Sequence, residues 1–259
     1  MSLRSQIGKA RQLLLSTVHR RPISLANEQP VVSFCFDDFP RTAYTVGGAI
    51  LTSVGARGTY YAAPGLMETK NELGDQFTRR DLESLLADGH ELGSHTFNHI
   101  SCRSAKLSTF EGDVKRGRAA LIEIAGRDPV NFAYPFGHVT VAAKNKLGMQ
   151  MKSCRGIYPG WNGRVSDLNL LRANSLYGDA DGLSEVEALL ADSTQGRGWL
   201  IFYTHDVRPS PTQFGCTPEL LEKTVCATLE RGFRIMPVEE VLACDQAVCN
   251  SLAGGRSKV

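Results

Sequence analysis

The sequence predicts an α/β fold, a closed or nearly closed barrel of seven or eight parallel strands. Three observations predict it. Short apolar runs alternate with helical stretches, the pattern of strand–helix units and a mainly parallel sheet. Seven or eight such units fit a chain of 259 residues, a length at which single α/β barrels are built. No G-x-G-x-x-G or G-x-x-x-x-G-K-[ST] follows the first strand. The usual dinucleotide and phosphate loops are therefore missing, and an open doubly wound sheet is the second choice.

Residues 1–24 read as a basic extension. Ile7, Leu13, Leu14 and Val18 can share one helix face, with Arg4, Lys9, Arg11, Arg20 and Arg21 around it. The expected role is a surface helix packed on the domain, with membrane-surface association as the other reading. Its one uninterrupted apolar run, Leu13–Leu15, is too short for a signal-peptide core or a membrane span.

Residues 25–245 read as the folded domain. Strand one is Val31–Phe36, followed by a helix over Ala43–Val54 and a second strand over Gly58–Ala62. Thr78 with Asp81 three residues on marks the start of a helix that Gly89 ends. A short strand follows at Glu91–Gly93, then a helix over Leu107–Gly126 and a strand over Asn131–Tyr134. The pattern continues with a helix over Thr140–Leu147, a strand near Met149–Ser153, a loop over Gly156–Asp167 and a strand over Leu170–Ala173. Leu183–Ala191 is helical, and Trp199–Tyr203, "WLIFY", is the most strand-like run in the chain. Pro218–Arg231 is a helix with proline near its first turn. Phe233–Met236 is a last strand, with a short helix after Pro237, and residues 246–259 read as a flexible tail.

A net charge of +2 without a Lys/Arg block excludes nucleic acid as the expected partner. Seven scattered cysteines without C-x-x-C point to reduced thiols and a cytoplasmic location.

The polar residues fall at strand ends. Asp37 and Asp38 end strand one, His95 and His99 follow strand three, and His205 follows "WLIFYT". In parallel α/β folds, ligands and catalytic groups gather at the carboxyl ends of strands. Two histidines spaced i, i+4 on a helical turn present both imidazoles to one ion, and an aspartate from another strand completes a catalytic set with open positions. Each feature also has a plain structural reading. Asp38 can cap the next helix, the histidines can be a surface pair, and a single histidine after a buried strand can be a hydrogen-bonded core residue. Side chains alternate along a regular strand, so the two aspartates can serve one site only if the backbone turns there.

Taken in order, "FCFDDFP", "HTFNH", "FAYPFG" and "LIFYTHD" resemble the motifs of the polysaccharide deacetylases, carbohydrate esterase family four, also called the NodB homology domain. The resemblance implies a distorted (β/α) barrel and a divalent metal, usually zinc. It implies Asp38, His95 and His99 as metal ligands, Asp37 as general base and His205 as general acid. It also implies that the Phe136 N–H polarises the acyl oxygen, with Tyr134, Phe39 and Trp161 on the substrate side. The reaction implied is removal of an acetyl group from an N-acetylated sugar, oligosaccharide or polysaccharide. Other readings are hydrolysis of a non-acetyl C–N bond, as in a formylated lipid-linked sugar or a ureide, and an inactive carbohydrate-binding relative. The chain departs from the family at Phe39, where glycine is usual, and at Ala133, where many members carry an arginine that orients the base. Arg155 or Arg172 can replace that arginine, and Asp167 is a candidate to orient His205.

Overall fold

The computed structural model describes residues 11–24, 29–163, 165–192 and 198–244. Arg4, Ile7 and Lys9 of the basic extension and the tail 246–259 lie outside the described residues. The strands are β1 (Pro22–Ser24), β2 (Val31–Asp38), β3 (Thr59–Ala62), β4 (Lys70–Asn71), β5 (Gly74–Asp75), β6 (Glu91–Ser94), β7 (Asn131–Ala133), β8 (Ser153–Arg155), β9 (Val165–Asp167), β10 (Asn174–Ser175), β11 (Trp199–Thr204) and β12 (Arg234–Ile235). The helices are α1 (11–17), α2 (Ala49–Ser53, continuing a π-helical stretch Ala43–Gly48), α3 (Arg79–Ala87), α4 (Leu107–Ala125), α5 (Val141–Gly148), α6 (Leu183–Leu190), α7 (Pro218–Glu230) and α8 (238–244).

Eight strands form one sheet in the order β10–β11–β2–β3–β6–β7–β8, with β12 beside β2. Every pairing in it is parallel. The sheet curls until its ends meet. Arg155 in β8 bridges Leu171 in parallel, and the chain then runs into β10 beside β11. β12 pairs Val31 and Val32 at the start of β2, whereas β3 pairs Cys35–Asp38 at its end. One long strand thus serves two neighbours on one side, which makes the barrel irregular.

All eight residues of β2 are buried, as expected for a parallel strand covered on both faces. Val32, Phe34 and Phe36 pack outward against the helices, in the cluster that holds Leu82, Leu85 and Leu221. Val31 and Cys35 point inward with Tyr61, Trp199, Ile201 and Tyr203. Alternation therefore puts Asp37 on the inner face, at the mouth end of the barrel.

The helix signals act as read. Thr78 and Asp81 form a reciprocal capping box on α3, Gly89 takes φ 81° after it, and Gly126 ends α4 at φ 66°. Two strands are displaced from their expected positions. β8 begins at Ser153 because the N–H groups of Gln150 and Met151 bond back to the Leu147 carbonyl and use those residues to finish α5. β10 begins at Asn174, with only Leu171 bridging from the expected Leu170–Ala173 run. The expected Gly156–Asp167 loop also contains β9, which pairs antiparallel with β1. No sequence pattern marks this pair, because each strand is three residues long.

Residues 11–24 are joined to the barrel. Leu15 is buried while Leu13 and Leu14 are 67% and 49% exposed, so the inward face is not the predicted one. The buried Lys144 ammonium donates to the Val18 carbonyl at 2.8 Å. The Arg21 guanidinium donates to the carbonyls of Gly148 and Met151 at 2.9 and 2.7 Å.

One core residue carries a pH prediction. His90 is buried, and its Nδ1 accepts the Gly58 N–H at 3.0 Å. A proton on Nδ1 would set two donors against each other. Burial, helped by Arg57, accordingly lowers the His90 pKa from 6.5 to about 4. Between those values the unfolded chain binds the proton and the folded chain does not, so stability falls as pH drops through this window. The melting temperature is expected to fall between pH 7 and pH 4.5, and less so in His90→Gln. Parallel curves for the two proteins would refute this role.

Candidate active site

The mouth of the barrel encloses a cavity of about 640 Å³ into which Asp37, Asp38, His95, His99, Phe136 and His205 all open. The turn that alternation required is present. Asp38 and Phe39 take φ 60° and 65°, left-handed backbone that non-glycine residues adopt rarely. This turn separates the neighbouring carboxylates while keeping both at the mouth.

The histidines are not on a helical turn. They lie on the loop after β6, where Thr96 and His99 also have positive φ, 66° and 54°. Asp113 of α4 ties this loop down by accepting the N–H groups of Phe97 and Asn98, both at 2.9 Å. Gly117 permits the close approach of α4, since a Cβ there would stand 2.5 Å from the Thr96 carbonyl oxygen.

Asp38, His95 and His99 offer ligand atoms that all lie within 4.8 Å of one another. The Nε2 atoms of His95 and His99 stand 3.2 and 3.0 Å from the same Asp38 Oδ1. His95 Nδ1 is 2.8 Å from the Ala133 carbonyl. A carbonyl only accepts, so Nδ1 carries the proton and the neutral ring turns its Nε2 lone pair toward Asp38. Oδ1 is buried without a satisfied hydrogen bond. Lone pairs converging on a buried carboxylate oxygen fit a divalent cation, and the backbone contact to His95 is the support that metal-bound imidazoles usually have.

Asp37 faces Arg155. Arg155 Nη2 donates to Asp37 Oδ1 in a buried ion pair, and Nη1 donates to the Gly156 carbonyl at 3.0 Å. The guanidinium lies between the Tyr61 and Tyr203 rings, 5.0 Å from each centroid. Burial opposes its charge, but Asp37 beside it raises the Arg155 pKa overall. Arg155 thus meets the carboxylate that the arginine absent at Ala133 would meet, from the next strand over. Arg172 does not; its Nη1 donates to the Pro159 carbonyl at 2.8 Å, away from the cavity.

His205 Nδ1 lies 3.0 Å from the Phe214 carbonyl, which fixes the proton there and leaves Nε2 as the free ring nitrogen. Among the described residues, no aspartate bonds to the ring. Asp167 is paired instead with Lys144 at 2.6 Å on the β1–β9 pair.

Three more expected residues are elsewhere. Phe39 is fully buried in the outer core, stacked on Phe77 at 4.9 Å; the left-handed turn sends it outward, so it does not shape the cavity. Tyr134 is on the outer face with Phe132, as alternation demands, and donates to the Asn169 carbonyl at 3.3 Å. Trp161 donates to the Leu189 carbonyl at 3.2 Å and packs near Phe233, outside the cavity.

Phe136 is at the mouth, 56% exposed, with φ 59° and its ring 4.4 Å from that of His99. Tyr177 and Tyr203 also line the cavity and were not anticipated. Tyr203 is legible, since it points inward on β11 two residues before His205. Tyr177 has no local signal.

A family profile described as polysaccharide deacetylase matches residues 24–151. Over these residues the chain matches the polysaccharide deacetylase family. The matched residues contain Asp37, Asp38, His95, His99 and Phe136, while Arg155 and His205 follow them. A curated relative, the peptidoglycan-N-acetylglucosamine deacetylase of Bacillus cereus, is 25% identical over 117 residues, 45% of this chain and 51% of the relative. The chain thus spans about half the length of the curated relative it matches. The chitin deacetylase of Colletotrichum lindemuthianum shares the fold at 18% identity and TM-score 0.57, over 85% of this chain and 89% of that one. A pseudoenzyme of carbohydrate esterase family four also shares it, at 14% identity and TM-score 0.53, over 83% of this chain and 68% of that one. A fold shared with a pseudoenzyme does not by itself decide activity.

Proposed function

We propose that this chain is a metal-dependent hydrolase that removes acetyl groups from N-acetylated sugar units of an oligosaccharide or polysaccharide. One observation carries the reading: a buried carboxylate, Asp37, shares a single cavity with the Asp38–His95–His99 cluster and with His205. The activities of the family's deacetylases support it.

Asp38, His95 and His99 would hold the ion, and zinc suits two imidazoles and one carboxylate. Bound zinc supplies Lewis-acid polarisation of an acyl oxygen and makes water more acidic. Arg155 occupies Asp37 Oδ1, so Oδ2 is the oxygen left to take the water's proton. His205 would act in its doubly protonated form: Nδ1–H stays on the Phe214 carbonyl, and Nε2–H gives its proton to the departing nitrogen, which an amine leaving group requires, leaving a neutral ring. The Phe136 N–H, on its left-handed turn at the rim, donates to the oxygen that gains charge. Tyr177 and Tyr203 bound the inner side of the cavity.

The non-acetyl reading rested on Phe39 and on the absent arginine. Phe39 is outside the cavity and Arg155 supplies the guanidinium, so neither feature favours that reading now. The six described cysteines are free thiols, four of them buried, which supports a reducing, cytoplasmic setting as part of this proposal.

The test is acetate release from chitooligosaccharides and related N-acetyl sugars, with chelator and with zinc restored. Chelation is expected to abolish release and zinc to restore it. Turnover indifferent to chelator, or none across the panel, would sink the reading.

A further inference from the structure

A second cleft, of about 150 Å³, lies between α1 and residues 158–172. The chain after β8 joins the two sites: Ile157 lines the catalytic cavity and Tyr158 lines the cleft. Arg20 and Arg172 line the cleft, with Gln12 from α1 and the rings of Tyr158 and Trp161.

The polar groups of the cleft are unevenly matched. Among the described residues the Arg20 guanidinium, the Gln12 amide and the Tyr158 hydroxyl have no hydrogen-bond partner. Arg172 uses Nη1 on the Pro159 carbonyl, leaving Nη2 without a partner. The one carboxylate in the lining, Asp167, is already engaged by Lys144 at 2.6 Å and by the N–H groups of Arg21 and Asn169, both at 3.0 Å. The cleft therefore presents two cations and several donors with no free acid to meet them.

We propose that this cleft is a second saccharide site, taking a sugar unit that carries a carboxylate or phosphate. The planar guanidinium fork matches either anion. The rings of Tyr158 and Trp161 offer amphipathic surface to the apolar face of a pyranose. The volume admits one sugar ring and not a chain. The proposal goes beyond the deacetylase reading and does not depend on it, because it concerns binding alone.

The two tryptophans make it testable. Trp199 is fully buried and bonded to Ser33, and the catalytic cavity has no tryptophan in its lining. Emission changes on titration therefore report Trp161, and Trp161→Phe should remove them. Glucuronic acid and N-acetylglucosamine 1-phosphate are each expected to give a saturable change, at least tenfold tighter than neutral N-acetylglucosamine. Arg20→Gln, an exposed residue without partners, should weaken both acidic sugars about tenfold and leave the neutral sugar unchanged. Its melting curve should match that of the parent. No response to the acidic sugars, or an unchanged response in Arg20→Gln, would overturn the proposal. So would inorganic phosphate binding as tightly as the sugars, which would mean a simple ion site. Response only to vesicles containing phosphatidylglycerol would make the cleft a lipid site and equally overturn it.

Discussion

Replacing Asp37 with asparagine is expected to lower kcat by about 10²- to 10⁴-fold, the usual contribution of a positioned general base, while the protein keeps its metal. Asparagine can still accept from Arg155 through its amide oxygen, so the side chain should stay in place. What it loses is the ability to take a proton. Asp38, His95 and His99 are untouched, so zinc content after dialysis should equal that of the parent. Asp38→Asn gives the opposite signature, with metal lost along with activity. The measurement is acetate release beside metal stoichiometry for both variants. A kcat for Asp37→Asn within tenfold of the parent would remove Asp37 from the role of base.

The two aspartates and the two histidines were legible because the motif and the strand-end position agree. The geometry that unites them was not. Adjacent aspartates on a regular strand diverge, and the sequence does not show that Asp38 and Phe39 both enter left-handed backbone. The histidine spacing suggested a helix, yet the loop is shaped by Asp113, which arrives from another helix. Such contacts leave no local pattern.

Strand β8 shows how a small shift changes a function. Placing the strand at Met149–Ser153 leaves Arg155 in a loop. In the structure the strand begins at Ser153, and alternation then turns Arg155 into the barrel beside Asp37. Phe39 and Trp161 mark the opposite failure. Each is an aromatic residue near a motif, and each is engaged in packing outside the cavity.

Arg155→Met is expected to cost about 3–5 kcal/mol of stability, the typical cost of breaking a buried ion pair from one side. Asp37 would remain buried without its counter-charge. Stability alone does not show that the pair is the cause, because Arg155 also fills space between Tyr61 and Tyr203. The double variant Asp37→Asn/Arg155→Met separates the two. With no charge left to compensate, it should recover most of the loss, since replacing a buried pair on both sides is often neutral. If packing is the cause instead, the double variant will be at least as unstable as Arg155→Met. Urea unfolding of the parent, both single variants and the double variant completes the cycle. Arg155→Lys adds a functional arm. It keeps the charge but loses the fork and the ring stacking, so its kcat should lie between those of the parent and Arg155→Met. An Arg155→Met protein that folds and turns over like the parent would mean that the ion pair neither stabilises the barrel nor positions the base.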